Sequence, residues 1–247
     1  MNLTGNTILI TGGTSGIGLG LALRLHEAGN TVIIAGRRRA LLDAITTEHP
    51  GIESIELDVA DADSVTRARE RLETSHPGLN VLVNNAGIML KEDLLDPSDV
   101  RIAEQHVQTN LLGPIRTAYA FTPLLVGKEG ATIVNVSSSL AFVPYPATPT
   151  YSATKAALHA FTESQRIRLA ESAIQVVEIV PPGVRTELLG QQDDEDAMPL
   201  DEFLDEVLAL LRADPDAHEI VVERARGIRD APASGSYGEL LALFGSL

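Results

Sequence analysis

Short aliphatic and β-branched runs alternate along the chain with segments whose apolar residues recur every three or four positions. Residues 7–10 and 31–35 are continuous apolar runs of strand length, as parallel strands buried on both faces require. Between them Ile17, Leu21, Ala22 and Leu25 repeat with helical spacing, and Gly29 marks the stop. Further strands are expected over 54–57, 81–84, 132–136 and 175–180, with helical patterns over 64–72 and 151–169. This order predicts an α/β fold, a doubly wound parallel sheet with helices on both faces, in a single domain over 1–247. No repeat of fixed period and no interdomain linker interrupts it. Pro144, Pro146 and Pro149 mark an irregular loop before Tyr151. Residues 187–199 read as a flexible excursion, and 187–212 as a substrate loop or lid. Within that stretch Phe203, Val207, Leu210 and Leu211 form one face of an amphipathic helix, with Asp201, Glu202, Asp205 and Glu206 toward water. Tyr237, Leu240, Leu241 and Phe244 suggest a last short helix docking on the core or on a partner.

Composition narrows the class. The chain has 247 residues, 44% of them apolar and 21% charged, which is ordinary globular usage rather than disorder. Its net charge of −15 argues against a nucleic-acid binder and against docking on anionic lipid. Between Glu187 and Asp216 lie eleven acids and one base, Arg212. That stretch reads as a solvated face, or as an overhang that repels anionic substrates. There is no cysteine, so disulfides and thiolate chemistry are absent. The N-terminus lacks a basic region and a long apolar run, and no apolar run reaches the ~20 residues of a membrane helix. A soluble, cytoplasmic protein is expected.

Thr11-Gly12-Gly13-Thr14-Ser15-Gly16-Ile17-Gly18 follows the first strand and opens the first helix. Glycines there allow a tight turn and a close backbone approach, and the helix start presents free N–H groups to an anion. Between strand and helix, such a turn points to a Rossmann-type dinucleotide site. An acid at the end of the second strand would select NAD, but that position reads Gly36-Arg37-Arg38-Arg39. Guanidinium groups there suit the 2′-phosphate of NADP(H).

Tyr151 and Lys155 stand four residues apart, on one face of a helix. A free phenol is a poor proton donor or acceptor near neutrality, and a neighbouring ammonium lowers its pKa. Ser137, Ser138 and Ser139 close an apolar strand, where a hydroxyl could hold a carbonyl oxygen; the pattern does not choose among them.

The glycine run at 11–18, Asn84-Asn85-Ala86-Gly87, Ser138, Tyr151 with Lys155, and Pro182-Gly183 occur in the order and spacing of a known family. The chain resembles the short-chain dehydrogenase/reductase family in its single-domain branch of roughly 250 residues, over about 5–190. The resemblance implies that Ser138 orients the substrate oxygen and Tyr151 is the general acid–base. Lys155 then binds nicotinamide ribose and acidifies the phenol, and Asn110 holds a water of a proton relay. Gly12, Ser15, Gly16, Ile17 and Gly18 match the cofactor turn, and Asp58 and Val59 the adenine contacts. Asn84, Ala86 and Gly87 match the segment behind the adenine ribose. Pro182, Gly183, Val184 and Thr186 match the nicotinamide-side loop. The implied reaction is reduction of a carbonyl, or oxidation of the alcohol. The ending Tyr237-Gly238-Glu239-Leu240 lacks the terminal strand that many members use in tetramers, so a homodimer is expected. The tail and the 198–212 region resemble a subgroup named after the D-alanylation-operon oxidoreductase.

The six histidines show no metal-ligand spacing, and no metal is expected. Phe142, Val143 and Tyr145, on the loop before Tyr151, would line an apolar pocket for a small carbonyl compound that is not polyanionic. A 3-oxoacyl thioester reductase is the enzymatic alternative, disfavoured by the acids at 187–216. A non-catalytic NADP-binding sensor is the alternative of another class, disfavoured because Ser138, Tyr151 and Lys155 are all present.

Overall fold

Ile8 and Ile10 point to one side of the sheet and Leu9 to the other, and all three are fully buried. This is the alternation of a central parallel strand with cover on both faces. The computed structural model describes residues 1–246; Leu247, the last residue of the expected domain, lies outside the described residues. Seven strands run parallel in the order β3-β2-β1-β4-β5-β6-β7. They are β1 (Thr7–Thr11), β2 (Thr31–Gly36), β3 (Ile52–Glu56), β4 (Val81–Asn84), β5 (Thr132–Val136), β6 (Gln175–Val180) and β7 (Glu219–Val221).

The first helices are α1 (Gly16–Glu27), α2 (Arg39–Glu48) and α3 (Ala62–Ser75). They are followed by α4 (Val100–His106), α5 (Gly113–Leu125), α6 (Pro149–Leu169) and α7 (Leu200–Ala213). Three short helices end the described chain: α8 (Glu223–Arg229), α9 (Ala231–Ser234) and α10 (Tyr237–Gly245). Leu21, Ala22 and Leu25 of α1, Leu42 and Ile45 of α2, and the apolar face of α7 close one core. Val65, Ala68 and Leu72 of α3 and Phe121 and Leu125 of α5 close the other. The strand order reverses between β1 and β4, and in such sheets ligands bind beyond the strand C-terminal ends at that switch.

Strands β4, β5 and β6 coincide with the expected ranges, whereas β3 begins two residues earlier, at Ile52. The three-residue β7 was not foreseen; so short a segment carries no periodicity. The stretch 187–212, expected as a substrate loop or lid, does not run as one loop. Leu200–Ala213 is a core helix, with Phe203, Leu204, Val207, Leu208 and Leu211 buried. Leu204 and Leu208 take the place expected for Leu210, which is half-buried. Asp201 and Asp205 pair with Arg24 of α1 at 2.9 and 3.0 Å, so part of the acidic run pins α7 down. The loop before α7 is held too: the Arg185 guanidinium donates to the carbonyls of Asp194, Glu195 and Ala197. In α10 no residue is fully buried; Phe244 meets Tyr145 edge-on at 6.0 Å. No helix among the described residues is long and apolar enough to cross a membrane.

If α7 belongs to the core, Phe203→Ala should lower the free energy of unfolding by about 3–5 kcal/mol, from lost transfer energy and the cavity left behind. Glu202→Ala on the exposed face should change it by less than ~0.5 kcal/mol. Urea denaturation followed by circular dichroism reads both; a loss below ~1 kcal/mol at Phe203 would return α7 to a lid.

Candidate active site

Two loops at the C-terminal edge of the sheet are clasped together. Thr11 Oγ1 accepts from the backbone N–H groups of Asn85 and Ala86, both at 3.1 Å, and donates to Val83 O at 3.2 Å. In return Asn85 Nδ2 donates to the carbonyls of Thr11 and Gly12 at 3.1 Å. The approach leaves no room for side chains. Gly12 has φ +66, and a Cβ there would lie 2.7 Å from Ala86 Cα; one on Gly18 would lie 2.3 Å from Gly12 O. Ser15 is extended at the N-cap of α1 without a side-chain cap bond, so no side chain competes for the helix's first N–H groups. A Cβ on Gly16 would be 3.2 Å from the Thr186 methyl, which brings the loop after β6 over the start of α1.

Of the arginines after β2, Arg39 is paired with Asp43 at 2.9 Å. Arg37 and Arg38 are exposed and make no ion pair among the described residues, and Arg38 Nη2 lies 3.5 Å from Thr14 Oγ1 in the glycine turn. Asp58 Oδ1 accepts from Ala60 N at 2.9 Å and shapes the turn after β3. Val59 is buried against Gly113 of α5, so its side chain faces the core. The Asn84 side chain bonds to neighbouring elements. Its Nδ2 donates to Asn135 Oδ1 at 2.9 Å and its Oδ1 accepts from Thr117 Oγ1 at 2.6 Å. That side chain is locked inside the sheet; the neighbouring Asn85, to which no role was assigned, clasps the turn instead.

Ser138, Tyr151, Lys155 and Asn110 are all buried, at 5%, 5%, 5% and 1% exposure, and come from separate elements. Ser138 caps the short turn after β5, its Oγ accepting from Leu140 N at 3.1 Å. Tyr151 sits in the first turn of α6, whose start is set by Pro149 at a position where the missing N–H does no harm. Burial pushes the Tyr151 phenol up to about 12, against a hydrogen bond with Ser138 that lowers it. Lys155 lies one turn on, its Nζ donating to Val136 O at 2.8 Å and standing 5.6 Å from the Tyr151 ring centre. Burial pulls its pKa down to about 8, while the charge of Glu178 acts to raise it.

Asn110 lies in a π-helical segment, Val107–Leu112, between α4 and α5. In a regular helix the ring of Pro114 would collide with the carbonyl of Asn110, four residues back; a wider turn relieves this. The turned-in amide is fixed at both ends, accepting from Ile88 N at 2.9 Å and donating to Ile88 O at 2.8 Å. A Cβ on Gly87 would lie 3.4 Å from Asn110 Oδ1 and 3.9 Å from Lys155 Nζ, so this bare Cα stands between the two. On the far side of the site Gly183 O accepts from Met198 N at 2.8 Å, and Val184 bridges to Met198. Pro182 is half-buried beside them, and Thr186 Oγ1 accepts from Leu188 N at 3.3 Å.

Three features have no local signal in the sequence. Glu92, with a side chain only 2% exposed, accepts from Thr150 N at 3.0 Å and Thr150 Oγ1 at 2.6 Å, and so caps α6 from 58 residues away. His106 is fully buried beside Tyr151 with ring centres 6.2 Å apart. Leu90 N donates to its Nε2, which places the ring proton on Nδ1, and burial lowers its pKa against the opposing pull of Glu92. The loop before Tyr151 differs from its expected role as an apolar pocket wall. Val143 is fully buried, and Phe142 packs edge-on to His159 at 4.7 Å with the Arg229 guanidinium 5.2 Å from its ring centre. Tyr145, like Phe142, is half-buried.

A family model described as short chain dehydrogenase matches residues 6–197. Over 237 residues, 94% of this chain and 93% of the relative, the protein is 39% identical to the uncharacterized oxidoreductase DltE of Bacillus subtilis. It is 36% identical over 183 residues, 73% of this chain and 60% of the relative, to an NADPH-dependent 1-acyldihydroxyacetone phosphate reductase of Schizosaccharomyces pombe. Among solved structures, a short chain dehydrogenase from Burkholderia cenocepacia in complex with NADP superposes with a TM-score of 0.85 at 28% identity, covering 99% of each chain. The chain belongs to the short-chain dehydrogenase/reductase family of oxidoreductases.

Proposed function

We propose that the protein is an NADP(H)-dependent oxidoreductase that reduces a ketone or aldehyde carbonyl, or oxidises the corresponding alcohol, with Tyr151 as acid–base. The observation that carries this reading is the buried group of Ser138, Tyr151 and Lys155 at the strand ends, one loop away from the glycine turn. The residues fit a dinucleotide on three counts. The start of α1 has no side-chain cap, and the clasp at Gly12 and Gly18 excludes every side chain from the phosphate position. Arg37 and Arg38 offer guanidinium groups that no carboxylate among the described residues occupies. Lys155 has one hydrogen-bond partner, Val136 O, so two of its three protons are left for ribose hydroxyls.

When bound, the cofactor supplies the hydride. The chain's own residues manage the oxygen and its proton. Ser138 Oγ accepts from Leu140 N, and its hydroxyl proton, which can turn to the Tyr151 oxygen, is shared with a substrate oxygen placed between them. Tyr151 holds its proton firmly in the buried site and gives it to the oxygen as negative charge develops there. The phenolate left behind is stabilised by the Lys155 ammonium beside it. Asn110, pinned by Ile88, holds the water through which the proton is replaced. The substrate is a small carbonyl compound without multiple negative charges, because the exposed acids at 193–196 flank the loop after β6. Tyr119 on α5 and Ile167 on α6, each 78% exposed, suit packing of a second copy into a homodimer.

Tyr151→Phe should lower kcat by about 100- to 10,000-fold in a carbonyl-reduction assay while NADPH binding, followed by fluorescence, persists. A Phe variant with parent turnover would remove Tyr151 from the mechanism. Replacing Arg37 and Arg38 together by Ala should lower kcat/KM for NADPH by about 100-fold and leave NADH nearly unchanged, through loss of two charge-assisted contacts. Equal use of both cofactors by the parent protein would refute the assignment of the arginines.

A further inference from the structure

Glu178 lies in β6 between two apolar residues, is 1% exposed, and faces α6. A carboxylate in that place needs donors or counter-charge. His159 of α6 supplies one contact, Nδ1 to Glu178 Oε2 at 2.8 Å. The other oxygen, Glu178 Oε1, is buried with no hydrogen-bond partner among the described residues. The parallel register sets Glu178 beside Glu219 on β7, with both side chains on the same face. Glu219 repeats the pattern: Oε2 accepts from Arg229 Nε at 3.0 Å and pairs with Nη2 at 2.7 Å, while Oε1 is buried and unpartnered. One nitrogen and two carboxylate donors thus lie within 4.8 Å of one another.

We propose that His159, Glu178 and Glu219 form a binding site for a divalent cation of the zinc type. An imidazole with two carboxylates suits zinc, whereas magnesium and calcium favour all-oxygen shells. Charge agrees once the imidazole is neutral, as metal binding requires: two carboxylates and the one guanidinium of Arg229 then leave a negative charge, and the ion must displace the proton that Glu178 favours on His159. Arg229 does not fill the site, because it holds the second oxygen of Glu219 and lies over Phe142. Of the three donors Glu219 reaches a surface cleft of about 400 Å³, which it borders with Arg229, Asp214 and Asp230. Ligand distances of ~2.0–2.2 Å require donors closer together than they stand here. Glu219, on the edge strand with its side chain 22% exposed, can rotate to close the gap. Spacing along the chain hid this cluster, because its three donors come from one helix and two strands.

A bound ion would tie α6, which carries Tyr151 and Lys155, to β6 and β7. The chelator-treated full chain is titrated with zinc chloride at about pH 8, where protons compete less for the imidazole. Calorimetry should show one ion per chain, and thermal unfolding should shift upward with zinc, as ligand linkage requires. His159→Gln and Glu219→Gln should each weaken binding by ~100-fold or more, exceeding the usual effect of outer-shell losses. Both are to be compared as folded proteins, with parent-like circular dichroism. A variant with Asp193→Asn and Asp196→Asn, which thins the exposed acidic run, should keep full uptake. Zinc-edge absorption spectroscopy on the loaded parent chain should find one imidazole among oxygen donors. No saturable uptake by the parent, uptake kept by either site variant, or a bound ion without imidazole would overturn the proposal; the first result would mean that the cluster is a closed ion-pair network.

Discussion

The buried amine of Lys155 is the interaction around which the candidate site is arranged. A cation enters apolar surroundings only if its charge is answered or weakened, and both happen here. The Val136 carbonyl accepts one hydrogen bond from it, and Glu178 stands near enough to oppose the effect of burial. The amine reaches this place because α6 is fixed from several sides. Thr162 and Gln165 of α6 accept from Asn135 of β5, which itself accepts from Asn84 of β4. Glu92 holds the first turn through Thr150. The helix that presents Tyr151 is thus anchored to the sheet by polar contacts in the core, and each of these needs its partner because each is buried.

The same constraint explains the two halves of the site. On the glycine side nothing but backbone fits, and the clasp between Thr11 and Asn85 holds the turn open toward solvent and the start of α1. On the tyrosine side, buried side chains from the turn after β5, from α6 and from the π-helical segment meet at the strand ends. The low polarity that makes the phenol reluctant to ionise also makes the neighbouring charge of Lys155 more effective. In the proposed reading, binding of a dinucleotide and control of a proton are adjoining tasks on one sheet edge, each carried by its own loops.

Much of this was legible in the sequence, for definite reasons. Buried parallel strands are dominated by aliphatic and β-branched residues even where a single polar one intervenes, so β4, β5 and β6 could be bounded to the residue. The glycine turn and the Tyr151–Lys155 pair are local patterns with local causes. What escaped notice depends on residues distant in the chain. Glu92 caps a helix 58 residues away, and Asn84 is drawn inward by partners on β5 and α5. Phe142 looks like a pocket wall until His159 and Arg229 are seen to enclose it. The acidic face of α7 suggested a lid, yet its other face is wholly apolar, and Arg24 answers two of its carboxylates.

The central claim is that the Lys155 amine is poised near neutrality by burial beside Tyr151. Burial disfavours the ammonium, so this amine should lose its proton as pH rises through about 8, well below the ordinary 10.5. The chain has three lysines, Lys91, Lys128 and Lys155, so carbon-13 labelling at the lysine ε position yields three signals that can be followed separately through a pH titration. One signal, absent from Lys155→Met, should titrate near 8 while the other two follow the usual range. A Lys155 signal that titrates with the two others would contradict the account.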